Sequence, residues 1–221
     1  MNLMNFELQI YQSKNHRFVG GIDEVGRGCL AGPLVTAIVV YDLEKLKNLS
    51  EVKILKKINQ IKDSKKLLEN KREELSLFIH EFADFVHINE VSNVDIDKLL
   101  ISKSTNNSFL ENYNQAKQKG LLDFVLTDAF KIKGVDENLQ ESLIKGDNTS
   151  LSIASASIVA KVYRDNLMKK LAEKDEFKIY EFEKHKGYGT AAHLDVIKKS
   201  GISTLHRKSF EPIKSMLKIS S

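Results

Sequence analysis

Four acidic residues stand where apolar stretches of this chain give way to turns. Asp23 and Glu24 close the run FVGGIDE just before a glycine-rich segment, and Asp128 closes the apolar run LDFVLTD. Asp147 follows Lys145-Gly146 and precedes the small-residue run SIASASIVAK, where it is expected to cap or precede a helix. Segments beyond strand ends carry reactive groups on a rigid scaffold. Carboxylates drawn from three such ends would form an oxygen-rich site of the kind magnesium and manganese prefer. Two such ions about 4 Å apart can activate a water and stabilise the leaving oxygen in phosphodiester hydrolysis. Any one of these aspartates could equally serve a turn or a helix cap. Because successive strand side chains face opposite ways, Asp23 and Glu24 can share a site if the chain leaves the strand at about Glu24. Gly26 and Gly28 make that turn sterically easy.

The same glycines admit other chemistries. Gly26-x-Gly28-x-x-Ala31 mimics a dinucleotide-binding turn, but that site needs a helix to open at the glycines. Here Gly32-Pro33 leads instead into LVTAIVVY, which reads as a strand. Cys29 adjoins the glycines without any zinc or thiol-histidine spacing to support it. His193 and His206 admit a general-acid role, and HRKSFEP could bring His206 near the carboxylates, yet lone histidines more often satisfy the interior. Lys161 and Arg164 read as structural, for instance as partners of Asp165.

The elements that must position these groups follow from hydrophobic period. Residues 3–14 read as a short amphipathic helix, 18–23 as a strand and 34–41 as a stronger, doubly covered one. A helix over 67–82 and a short strand over 85–89 come next, then a long helix over about 95–119. The run 122–126 is a buried strand and 142–145 a last short one. A helix over 152–171 follows, with further helices at 190–200 and 209–218. Six lysines (45, 47, 53, 56, 57 and 62) mark a helical excursion over 44–62. The pattern predicts an α/β fold, a mixed sheet flanked by helices with a helical C-terminal region. Residues 1–17 read as a helical extension on a domain spanning 18–221.

Composition sets the partners. The 221 residues carry 34 Lys and Arg against 30 Asp and Glu, but the surplus is uneven. From Lys161 onward there are 14 basic and 8 acidic residues, against 20 and 22 before it. An uneven basic face permits phosphate-backbone binding. One cysteine excludes an internal disulfide, and no apolar run is long enough for a bilayer, so a cytoplasmic protein is expected.

Taken in order, the segments GIDEVGRGCLAGP (21–33), DSKKL (63–67), LTD (126–128), KGD (145–147), SIASASIVAKVYRD (152–165), KGYGT (186–190) and HRKSFEP (206–212) form a specific set. Through them the chain resembles ribonuclease HII, the type 2 ribonuclease H family, from about Phe18 to Pro212. The resemblance implies a ribonuclease H-like fold with Asp23, Glu24, Asp128 and Asp147 as catalytic carboxylates. Of these, Asp23, Glu24 and Asp128 would hold manganese or magnesium. It implies further that the backbone of Gly26-Arg27-Gly28 reads a ribose 2′-hydroxyl, that Lys65 holds a phosphate and that Tyr188 stacks on the neighbouring deoxyribose. The implied substrates are RNA–DNA hybrid and duplex DNA containing ribonucleotides, cut on the 5′ side of a ribonucleotide to leave 3′-hydroxyl and 5′-phosphate ends. A monomer is expected. Three features depart from the family: Ala129 replaces a common glycine, Ser155 stands where a small apolar residue is usual, and 97–109 lacks the expected asparagine placement.

Overall fold

The computed structural model describes residues 3–14 and 16–219. Helix α1 (Met4–Lys14) leads into two antiparallel strands, β1 (Phe18–Val25) and β2 (Leu34–Asp42). Two short helices, α2 (Leu43–Lys47) and α3 (Val52–Ile58), make up the lysine-rich excursion. Helix α4 (Glu69–Phe82) and strand β3 (Phe85–Val91) follow, then α5 (Asn93–Leu99) and α6 (Ile101–Gln118). Strands β4 (Phe124–Asp128) and β5 (Gln140–Leu143) precede the long α7 (Leu151–Ala172). Helices α8 (Phe182–His185), α9 (Ala191–Ser200) and α10 (Ile213–Ile219) form the C-terminal region.

The five strands lie in the order β3-β2-β1-β4-β5. β1 pairs antiparallel with β2 and parallel with β4, so the sheet is mixed. Every residue of β2 is buried, as its unbroken apolar composition demands for a strand covered on both faces. One face packs against α7 and α4 through Val35, Val39, Tyr41, Ile79, Ile153 and Ile158. The other face meets α6 through Ile22, Ile38, Val40 and Phe109.

Helix α7 lies unusually close to β1. A Cβ built on Gly21 would sit 2.2 Å from the backbone nitrogen of Ile153, so only glycine allows the first turn of α7 to rest on the strand. The SIASAS run supplies the matching small surface, and Ser150 caps the helix by accepting the Ile153 N–H.

Sequence and structure differ at two informative places, and a third alternative is decided. β1 does not end at Glu24 but continues to Val25, with Asp23 opposite Ala37 and Glu24 opposite Thr36. The long helix expected over 95–119 is broken at Leu100, whose φ of 66° ends α5 before α6 begins. Of the two places open to it, Asp147 takes the one ahead of α7, in a single 3-10 turn, Gly146–Asn148, before the capping serine.

Candidate active site

β1 and β4 run parallel and side by side, so their C-terminal ends open on the same edge of the sheet. That edge carries Asp23 and Glu24 from β1 and Asp128 from β4. The turn after β5 adds Asp147, because Gly146 N–H donates to the Asp128 carboxylate at 2.8 Å and draws the 145–148 turn against β4. A cavity of about 490 Å³ lies here, lined by all four carboxylates together with Gly26, Arg27, Gly28, Lys65 and Tyr188. The nine residues singled out from sequence therefore face one space. Asp23 and Glu24 both line it although they alternate along the strand, one residue apart near its end.

The carboxylates are crowded and partly dry. Burial, then the charges of Glu24 and Asp128, push the Asp23 carboxyl up to about 8, while Ser157 and the Glu24 N–H pull the other way. Burial also raises Glu24, opposed chiefly by Arg27, and raises Asp147, where Asp63 and Asp128 add repulsion. One oxygen of each aspartate is held locally. Asp23 accepts the Glu24 N–H at 2.8 Å, and Asp147 accepts from the Asn148 side chain at 2.7 Å.

Positive charge surrounds this cluster. Arg27 lies 3.8 Å from Glu24 and half exposed, and its guanidinium also covers the Phe130 ring. Lys65 sits in the 3-10 turn Ser64–Lys66, whose N-terminus is capped by Asp63. Tyr188 is 40% exposed, its ring 5.9 Å from both Lys161 Nζ and Arg164 Cζ.

Three further polar residues of the cavity lay outside the site read from the sequence: Ser64, Ser157 and Lys161. Ser64 and Ser157 share a hydrogen bond of 2.9 Å, tying the Lys65 turn to α7 beside Asp23. Ser157 belongs to a run that reads only as a close-packing surface, so nothing local marks its polar task. Lys161 does bind Asp165 at 2.8 Å, as expected, but also reaches the cavity. Arg164 makes no such pair. It is fully buried and donates to the carbonyls of Ala31, Pro33 and Lys186. The close approach of its guanidinium, 2.1 Å from a Cβ built on Gly26, together with a φ of +87°, fixes glycine at that position.

The histidines do not reach the carboxylates. His193 and His206 are buried behind the Tyr188 loop, their Nε2 atoms 3.0 Å apart. His206 Nδ1 accepts the Ser203 N–H, so His206 Nε2 donates to His193, whose Nδ1 donates to the Tyr188 carbonyl. This directional chain is a structural support. Cys29 is buried and its thiol is raised by burial, consistent with an inert side chain.

A mixed sheet with carboxylates gathered at its parallel strand ends and helices on both faces defines the ribonuclease H-like class of folds. The family described as Ribonuclease HII matches residues 20–213. The chain is 48% identical to Ribonuclease HII of Clostridium beijerinckii over 197 residues, covering 89% of this chain and 68% of that protein. Among solved structures it resembles the RNase HII of a PCNA:RNase HII complex from Archaeoglobus fulgidus, with 27% identity, a TM-score of 0.66 and coverage of 88% and 95%. A Bst-RNase HIII in complex with Mn2+ shares the fold, with a TM-score of 0.63, 21% identity and coverage of 92% and 70%. The chain belongs to the ribonuclease HII family, and it is thereby a ribonuclease H hydrolase.

Among the described residues, no three His, Cys, Asp or Glu side chains close on one point tightly enough to hold an ion as they stand. The donor set nevertheless fits a hard divalent cation. It offers only carboxylate oxygens, and burial together with their mutual repulsion raises Asp23, Glu24 and Asp147, a cost that a cation would relieve. Enzymes of this family work with divalent metal ions.

Proposed function

We propose that this protein is an endonuclease that hydrolyses the RNA strand of RNA–DNA hybrids. It also cuts on the 5′ side of ribonucleotides embedded in duplex DNA, leaving 3′-hydroxyl and 5′-phosphate ends. The observation that carries the reading is the single cavity shared by four carboxylates, the Gly-Arg-Gly turn and Tyr188. Asp23, Glu24 and Asp128 would hold manganese or magnesium, with Asp147 the fourth catalytic carboxylate. When bound, such an ion supplies Lewis-acid polarisation of the phosphate and a more acidic water.

The chain's own side chains do the rest. Ser157, the Glu24 N–H and the Gly146 N–H orient the carboxylates before substrate arrives. Lys65, Arg27 and Lys161 offset the charge of the incoming phosphates, and Lys65 lowers both Glu24 and Asp147. The glycine turn presents bare backbone to the ribose, the one sugar that carries a 2′-hydroxyl. Tyr188 offers an exposed ring face for the adjoining deoxyribose. A cytoplasmic monomer whose working domain spans 18–221, with 1–17 as an extension, agrees with this reading. No helix among the described residues is long and apolar enough to cross a membrane.

The test is a duplex DNA carrying one ribonucleotide, incubated with manganese or with a chelator, and the cut mapped to the nucleotide. Cleavage 5′ of the ribonucleotide, abolished by the chelator, is expected. Asp23→Asn should fold and lose activity by about a thousandfold or more, the rate equivalent of several kcal/mol of transition-state charge stabilisation. It should also lose the rise in melting temperature that manganese gives the unaltered protein. Near-normal turnover by Asp23→Asn would remove that residue from the site.

A further inference from the structure

Gly26, Arg27, Gly28 and Cys29 form a tight turn closed by Cys29 N–H donating to the Gly26 carbonyl at 3.2 Å. Arg27 and Gly28 are its two central residues, and the peptide between them can face either way. A glycine in the second central place favours the type II turn, in which that residue takes a positive φ and the central peptide is flipped. Gly28 does not take it: Gly26 and Gly32 have positive φ, Gly28 has not. Nothing lies within 4 Å of a Cβ built on Gly28, so crowding does not impose the choice.

Arg207 supplies a reason. It is fully buried, and among the described residues it makes no ion pair with a carboxylate. Its guanidinium is spent on backbone carbonyls: Nη1 donates to Arg27 at 2.9 Å, while Nε and Nη2 donate to Gly32 at 3.1 and 3.0 Å. Its own N–H donates to Leu30 at 2.8 Å, and its guanidinium rests on Phe210. Burying an unpaired cation is costly unless every donor is met. Here the cation is built into the floor of the loop after β1. In a trans peptide the C=O and N–H point in opposite directions. With the Arg27 carbonyl directed inward at Arg207, the Gly28 N–H is directed outward, to the cavity that Gly28 lines. Among the described residues that N–H has no hydrogen-bond acceptor.

We propose that Arg207 is a positioning residue that locks the Arg27–Gly28 peptide with the Gly28 N–H presented to the substrate sugar, against the flip that glycine would otherwise favour. Arg207 touches neither substrate nor carboxylate; it acts through the peptide it holds. The inference rests on the reading that this turn recognises a ribose.

Three measurements test it. The affinity for duplex DNA with one ribonucleotide is compared with that for the all-DNA duplex of the same sequence, calcium replacing the catalytic ion. Arg207→Lys, which keeps the charge but cannot span the same carbonyls, is expected to shrink this ratio by about fivefold, the loss of one hydrogen bond. A purely structural role would lower the melting temperature and leave the ratio unchanged. Gly28→Ala disfavours the flipped turn by itself, so in that background Arg207→Lys should change the ratio by less than about twofold. Should Arg207→Lys not fold, amide exchange at Gly28 in the unaltered protein decides: the ribonucleotide duplex should protect it and the all-DNA duplex should not. An unchanged ratio in folded Arg207→Lys, equal effects in both backgrounds, or a Gly28 amide indifferent to the ribonucleotide overturns the inference. An unaltered protein with no ribonucleotide preference removes the reading of the turn itself, and Arg207 with it.

Discussion

An acid that must serve a cation needs one oxygen anchored and the other free, and the hydrogen bonds to Asp128 and Asp147 have that form. Tyr188 is arranged by a similar logic, with its backbone fixed and its ring left open. Its carbonyl accepts from His193 and its N–H donates to His185, while burial pushes its hydroxyl up to about 12, so the phenol stays neutral at working pH. Tyr188→Ala should therefore lower cleavage at a lone ribonucleotide more than cleavage of a long hybrid, where many equivalent registers present a site. Rates on the two substrates check it, and equal losses would remove Tyr188 from recognition of the adjoining deoxyribose. At this scale the sequence was most informative where a residue's type is its chemistry. Acids at strand ends and a glycine pair beside them are conspicuous. Ser157 and Arg207 were not, because a hydroxyl on a packed helix and an arginine in a basic tail look ordinary until their distant partners are known.

Elements decide where those residues come together, and here local patterns misled in specific ways. Alternation along β1 gave no sign that both Asp23 and Glu24 line one cavity from within the strand, so the strand was expected to stop at Asp23, two residues early. Helical periodicity ran through Leu100 because a single left-handed residue does not disturb it. Ala129 was legible only as a departure from a glycine. Its φ of 68°, with its N–H donating to Leu143 at 2.9 Å, supplies the reason: the chain turns out of β4 through a conformation that costs an L-residue about 1 kcal/mol or more. Ala129→Gly should raise stability by about 0.5–1 kcal/mol, less than the full strain because glycine loses more freedom on folding. The midpoint of urea unfolding measures it, and an unchanged or lower midpoint would show that the turn bears no such strain.

Across the whole molecule, three histidines converge behind one loop. His185 stacks on His193 at 4.2 Å, and His193 meets His206. Burial pushes His193 and His206 down to about 4, well below their ordinary 6.5. An unfolded chain takes up protons on these rings from about pH 6.5 downward while the folded one does not, so folding is favoured above that range and weakened as pH falls toward 4. The melting temperature should fall between those values, and His206→Asn, less stable at neutral pH, should show a shallower decline. A parallel decline in both would acquit the pair. Lys186, Glu181 and Glu183 also face His185, so the comparison with the variant is what isolates the buried rings.

The loop that follows β1 is also fastened by residues 175 positions later, as between Gly32 and Arg207. Gly32 N–H donates to Leu205, Arg207 N–H donates to Leu30, and Ala31 bridges to His206. Such long sequence separation delays closure until residues 205–207 have left the ribosome. Nearer contacts already hold part of that loop, since Arg164 donates to Ala31 and Pro33 and the N–H groups of Leu30 and Ala31 donate to Gly187, so the contacts of residues 205–207 add the last ties rather than the first.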